Sequence, residues 1–121
     1  MSIRTLVVDD EADIRALIGA VIRASKKNAE VVGEAADGEQ AIARVDELHP
    51  DAIILDQRMP GPSGVETARR ILERHPDIYI VLCSAYLNTA VTREAEGIGV
   101  KICLEKEEIR RIPEVLEQLA G

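Results

Sequence analysis

Ala52-Ile53-Ile54-Leu55-Asp56, followed by Gln57-Arg58-Met59-Pro60-Gly61-Pro62-Ser63-Gly64, is the stretch whose reading decides the fold. Four apolar residues in succession fit a strand covered on both faces. The run stops on a carboxylate, and the residues after it cannot extend a strand, because two prolines remove donors and the glycines loosen the backbone. Asp56 therefore stands at the C-terminal end of a central strand, where open α/β sheets place their chemistry. A second run, Thr5-Leu6-Val7-Val8, ends the same way on Asp9-Asp10-Glu11.

Outward from these two strands, the chain alternates strand and helix patterns. Ile3 to Val8 is the first strand. A helix over about 11–25 carries Ile14, Leu17, Ile18, Val21 and Ile22 as one buried stripe. Glu30 to Ala35 is a charged, glycine-containing strand of edge character. Asp37 and Gln40 form a capping box for a second helix that runs to Leu48, and Ser63 and Glu66 do the same for a third, with Val65, Ala68, Ile71 and Leu72 turned inward. His49-Pro50-Asp51 and His75-Pro76-Asp77 each end a helix before an apolar strand. Ile78 to Cys83 is the fourth strand. A weaker helix over about 88–96 has Ala90, Val91 and Ala95 on one side and ends near Gly97. Val100 to Leu104 is the fifth strand, followed by a short turn at 107–111 and a last helix from about Pro113.

Five strand–helix units imply a doubly wound parallel sheet with helices on both faces. The apolar strands one, three and four belong in the middle, which gives the order 2-1-3-4-5, and the whole of 1–121 reads as a single α/β domain. The chain is 46% hydrophobic but only 2% aromatic, with no Trp and no Phe, so its core must be aliphatic. A net charge of −7 argues against direct nucleic-acid contact and against docking on anionic membranes. No apolar run approaches the roughly 18 residues of a membrane span, so the expected location is the cytoplasm. Cys83 and Cys103 fit no zinc pattern and read as free thiols.

In this topology Asp9, Asp10, Asp56, Ser84 and Lys106 share one rim. Clustered carboxylates repel, and a hard divalent cation removes that repulsion. Mg²⁺ (or Mn²⁺ in its place) would be held by Asp9, Asp10, Asp56 and the backbone carbonyl of Arg58. Asp56 would be the nucleophile for an incoming phosphoryl group, with Lys106 and the Ser84 hydroxyl taking up its charge.

These residues, in Leu6-Val7-Val8-Asp9-Asp10-Glu11, Ile54-Leu55-Asp56-Gln57-Arg58-Met59-Pro60-Gly61, Ser63-Gly64, Ser84-Ala85 and Leu104-Glu105-Lys106, carry a resemblance to receiver domains of the bacterial two-component response-regulator family. The resemblance covers essentially the whole chain. It implies that Asp56 accepts a phosphoryl group from a sensor histidine kinase or phosphotransfer protein, and that the acidic pair binds Mg²⁺. It implies a conformational signal through Ser84 and Lys106 to an output protein or domain, and homodimerisation as one form that output can take. It also implies that Arg15 and the exposed side of helix one dock the kinase, and that the small Ala85 leaves room for the phosphoryl group. Such a protein promotes its own phosphorylation and turns over no external substrate. Two positions depart from the family pattern: Cys103 stands where a switching aromatic is common, and Glu107 stands where Pro usually follows the lysine. The resemblance further implies that Arg58 and Tyr86 occupy positions that tune dephosphorylation.

Blander readings exist for each residue taken alone. Asp9 and Asp10 suit a helix N-terminus, Ser84 suits a turn, and Lys106 suits a surface. His49 and His75 read as turn residues. The alternative from another class is an unphosphorylated pseudo-receiver acting only as an interaction module. The presence of all five functional residues in order counts against it.

Overall fold

The computed structural model describes residues 2–120. Five parallel strands, β1 (Ile3–Val8), β2 (Ala29–Ala35), β3 (Ala52–Leu55), β4 (Tyr79–Ser84) and β5 (Ile102–Glu105), form one sheet in the order β2-β1-β3-β4-β5. The helices are α1 (Ala12–Ala24), α2 (Gly38–Leu48), α3 (Gly64–Arg74), α4 (Thr89–Ile98) and α5 (Ile112–Ala120), with a 3-10 turn over Lys106–Arg111. The expected order and the buried character of β1, β3 and β4 hold.

Alternation along each strand divides the core in two. Leu6, Val8, Ile53, Leu55, Ile80 and Leu82 meet α2, α3 and α4 on one face. Val7, Ile54, Val81, Cys83 and Leu104 meet α1 and α5 on the other, through Ile18, Ile22, Ile112 and Leu116. Each such aliphatic side chain contributes about 1.5–3 kcal/mol by leaving water. Cys83 and Cys103 therefore lie on opposite faces of the sheet, and both are free thiols.

Several local expectations change. Leu17 is 47% exposed, because α1 centres its buried face on Ile18 and Ile22. Ala90 is exposed, and Ile98 packs on the core in its place. Helix α4 passes through Gly97 and stops at Gly99, whose φ of 106° is left-handed. There the N–H of Val100 donates to the Ala95 carbonyl and that of Gly99 to Glu96, an arrangement that satisfies the last carbonyls and seats Val100 in the core. Consequently β5 begins at Ile102 and not at Val100.

The two capping boxes are only half realised. Asp37 accepts from the Gln40 N–H, but Gln40 reaches back to the N–H of Ala36, not to Asp37. Ser63 accepts from the Glu66 N–H, while the Glu66 carboxylate pairs with Arg69 and Arg70.

Candidate functional site

Strand register builds the site. Val8 pairs with Leu55, and Leu55 with Leu82, so Asp9 and Asp56 leave the sheet at one level. Ser84 pairs with Glu105, which puts Lys106 just beyond the same rim. The turns are fixed by backbone bonds: the Asp9 N–H donates to Ala35 O (3.1 Å) and the Asp56 N–H to Val8 O (3.0 Å).

One carboxylate oxygen each from Asp9, Asp10 and Asp56 lies within 4.8 Å of the others. Asp9 and Asp56 are buried, whereas Asp10 faces solvent. Lys106 Nζ stands 2.7 Å from Asp9 Oδ2 and 3.4 Å from Asp56 Oδ2. Asp9 Oδ1 accepts from the Glu11 N–H (2.9 Å), and Asp56 Oδ1 from the Gln57 N–H (2.8 Å). The donor set is entirely oxygen, without nitrogen or sulfur, which suits Mg²⁺ or Mn²⁺ and not a softer metal.

Burial pushes the Asp56 carboxyl above its ordinary value, and the charge of Asp9 adds to the rise. The Ser84 hydroxyl, the Lys106 ammonium and the Gln57 N–H oppose it without cancelling it. Burial disfavours the Lys106 charge, yet its contacts with Asp9 and Asp56 prevail and hold it above the usual lysine value. The mutual shifts are those of a carboxylate cluster short of positive charge.

The remaining expected residues fall around this centre. Ser84 is fully buried and its Oγ accepts from the Tyr86 N–H (3.1 Å). Ala85 is exposed at the rim. The Arg58 guanidinium stacks 4.1 Å from the centroid of the half-exposed Tyr86 ring. Cys103 is half-buried on the α4 side, beside Thr92, where it borders a groove of about 510 Å³ between α4 and β5. His49 and His75 stand away from the rim in their helix-to-strand turns, with His75 paired to Asp46.

Four contributions were not assigned from the sequence. Gln57 Oε1 accepts from the Val65 N–H and caps α3. Gly64 packs so closely that a Cβ there would lie 2.2 Å from the Asp56 carbonyl oxygen. Glu108 accepts from the Glu105 N–H at the 3-10 turn. Arg15, expected on the exposed side of helix one, instead bonds the Asp9 carbonyl (2.7 Å) and Glu34 (2.8 Å). Only Gly64 left a signal, in the Ser-Gly step after a proline-rich loop.

Residues 5–117 match the response regulator receiver domain family. The chain is 33% identical to the chemotaxis protein CheY of Thermotoga maritima over 121 residues, covering 99% of each. It is 42% identical to the response regulator GacA of Pseudomonas viridiflava over 79 residues, which span 65% of this chain and 36% of that one. Its fold superposes on the receiver domain of the NarL regulator from Mycobacterium tuberculosis with a TM-score of 0.89 at 30% identity, covering 99% and 98% of the two chains. With a carboxylate cluster at the rim and a family match along nearly its whole length, this chain belongs to the response regulator receiver domains, the phosphoacceptor signalling modules of two-component systems.

Proposed function

We propose that Asp56 is the phosphoacceptor of this receiver and that the donor is a phosphohistidine on a sensor kinase or phosphotransfer protein. The observation that carries this reading is the buried Asp56 carboxylate set among two further acids and a lysine at an open rim. An Asp56 oxygen attacks the phosphorus, the P–N bond breaks with its electron pair passing to the imidazole, and an acyl phosphate forms. Asp9, Asp10, Asp56 and the Arg58 backbone carbonyl would hold Mg²⁺ (or Mn²⁺), which would supply neutralising charge for the phosphoryl oxygens. Lys106 leaves its ground-state partners for the new negative charge, and the Ser84 hydroxyl donates to a phosphoryl oxygen. Ala85 leaves the approach clear.

The added charge of about −1.5 to −2 re-partners Ser84 and Lys106 and so reshapes the face made by α4 and β5, to which an output protein, an output domain or a second copy responds. Cys103 is too small to act there as a rotating aromatic. Arg58 and Tyr86 set the lifetime of the acyl phosphate. Among the described residues no helix is long and apolar enough to cross a membrane. Action in the cytoplasm is part of the proposal, and the −7 charge argues against direct contact with nucleic acid.

The test is incubation with acetyl phosphate, with and without Mg²⁺, read by intact mass and size exclusion. A Mg²⁺-dependent gain of one phosphoryl group, absent in Asp56→Asn, is the expected result. No gain from acetyl phosphate or from a phosphohistidine donor would leave the fold and remove the phosphoacceptor.

A further inference from the structure

Arg15 stands at the fourth position of α1, close to the positive end of the helix dipole, where a cation is disfavoured. It is also largely buried, with only 18% of its side chain exposed. Two bonds account for this placement. Nη1 donates to the Asp9 carbonyl at 2.7 Å, and Nε donates to Glu34 Oε1, on the neighbouring edge strand, at 2.8 Å. The Asp9 carbonyl belongs to the Asp9–Asp10 peptide. The other groups of Asp9 are already held: its N–H by Ala35 O, Oδ1 by the Glu11 N–H and Oδ2 by Lys106. Asp10 is the exposed member of the acidic cluster.

We infer that Arg15 is a positioning residue for the acidic cluster: it locks the Asp9–Asp10 peptide so that Asp10 presents its carboxylate beside Asp9 and Asp56, with Glu34 holding the guanidinium in place. The inference rests on the receiver reading only in taking the cluster as a divalent-cation site. Residues that orient metal ligands typically change affinity by about 10- to 100-fold when removed.

The experiment titrates Mn²⁺ by electron paramagnetic resonance into the whole protein, without phosphodonor, for wild type, Arg15→Met, Arg15→Lys and Glu34→Gln. Arg15→Met should raise the half-saturating Mn²⁺ concentration by about 10-fold or more. Arg15→Lys, which keeps one donor for the carbonyl, should recover part of that loss, and Glu34→Gln should lie between it and wild type. In parallel, Mg²⁺ dependence of acetyl phosphate uptake should show the same shift in half-saturation with the maximal rate retained. Thermal melts report the fold, and if Arg15→Met fails to fold, the Lys and Gln variants carry the test. Unchanged Mn²⁺ affinity in all folded variants would overturn the inference, as would a fall in maximal rate with unchanged half-saturation. If wild type binds Mn²⁺ but takes up no phosphate, the phosphoacceptor reading fails while the Mn²⁺ comparison still decides the role of Arg15.

Discussion

At the scale of single residues, Asp56 is a destabilising group kept where the chemistry needs it. Its carboxyl is raised by burial and by Asp9, so the folded state holds a proton more tightly than the unfolded chain does. The cost of ionising it is absent below the unfolded value near 3.8 and fully present above the folded value. Asp56→Asn should therefore melt higher than wild type at pH 7, by a few degrees for each ~1 kcal/mol, and the gain should vanish as pH falls through that window. A stability gain over wild type no larger at pH 7 than at pH 3.5 would contradict this account. The thiols give a second residue-scale prediction. Burial pushes Cys83 up to about 12 and raises Cys103 as well. At pH 8 a native sample should therefore alkylate slowly at Cys103 and not at Cys83, with both reacting in denaturant, as peptide mapping would show. Tyr86 and Arg58 give a third. Their stacking is worth roughly 0.5–1 kcal/mol, so Tyr86→Ala should quicken acyl-phosphate hydrolysis by about 2- to 5-fold, measured by loss of the phosphorylated mass. The acids and Lys106 were legible because each closes a strand, and strands are readable from apolar runs. Arg15 was not, since its partners are a backbone carbonyl and a carboxylate on another strand.

At the scale of elements, sequence pattern placed the helices well and their ends less well. Asp37, Ser63 and Asn88 each accept a backbone N–H at a helix start. Asp37→Ala should cost about 1 kcal/mol in urea unfolding and change phosphorylation far less than stability, because the bond it removes is to the Gln40 N–H and not to the acidic cluster. Gly64 should behave differently. A Cβ at that position collides with the Asp56 carbonyl and with the Gln57 backbone, which cannot move without displacing the acidic rim. Gly64→Ala should cost about 1–3 kcal/mol and slow phosphoryl uptake, whereas an ordinary helix-start Gly→Ala would do neither. The end of α4 shows why boundaries escape a local reading. Both Gly97 and Gly99 can end a helix, and the choice falls on Gly99 because that lets Val100 enter the core. Likewise the residues of the expected capping boxes were correctly named as caps, but Glu66 found arginines instead, a competition that depends on the side chains of the following turn.

At the scale of the molecule, strand order and site are one fact. The switch between β1 and β3 brings Asp9 beside Asp56, and the β4–β5 register delivers Lys106 to both. A ligand that binds this folded arrangement and not the open chain must stabilise it, so Mg²⁺ at about 100 times its dissociation constant should add about 2.7 kcal/mol. The melting temperature should rise with Mg²⁺ in wild type and much less in Asp10→Asn; an equal rise in both would place the cation elsewhere. The sequence by itself determined the layers, the sheet order and the identity of the rim residues. Apolar runs, their termination by Pro, Gly and Asp, and right-handed crossovers leave few other ways to bury so aliphatic a chain. Only the tertiary structure decided that Leu17 faces solvent, that Gly99 ends α4, that Cys103 borders an open groove and that Arg15 turns inward to the Asp9 carbonyl. Those outcomes depend on distances between segments far apart in the chain, and local periodicity carries no information about such distances.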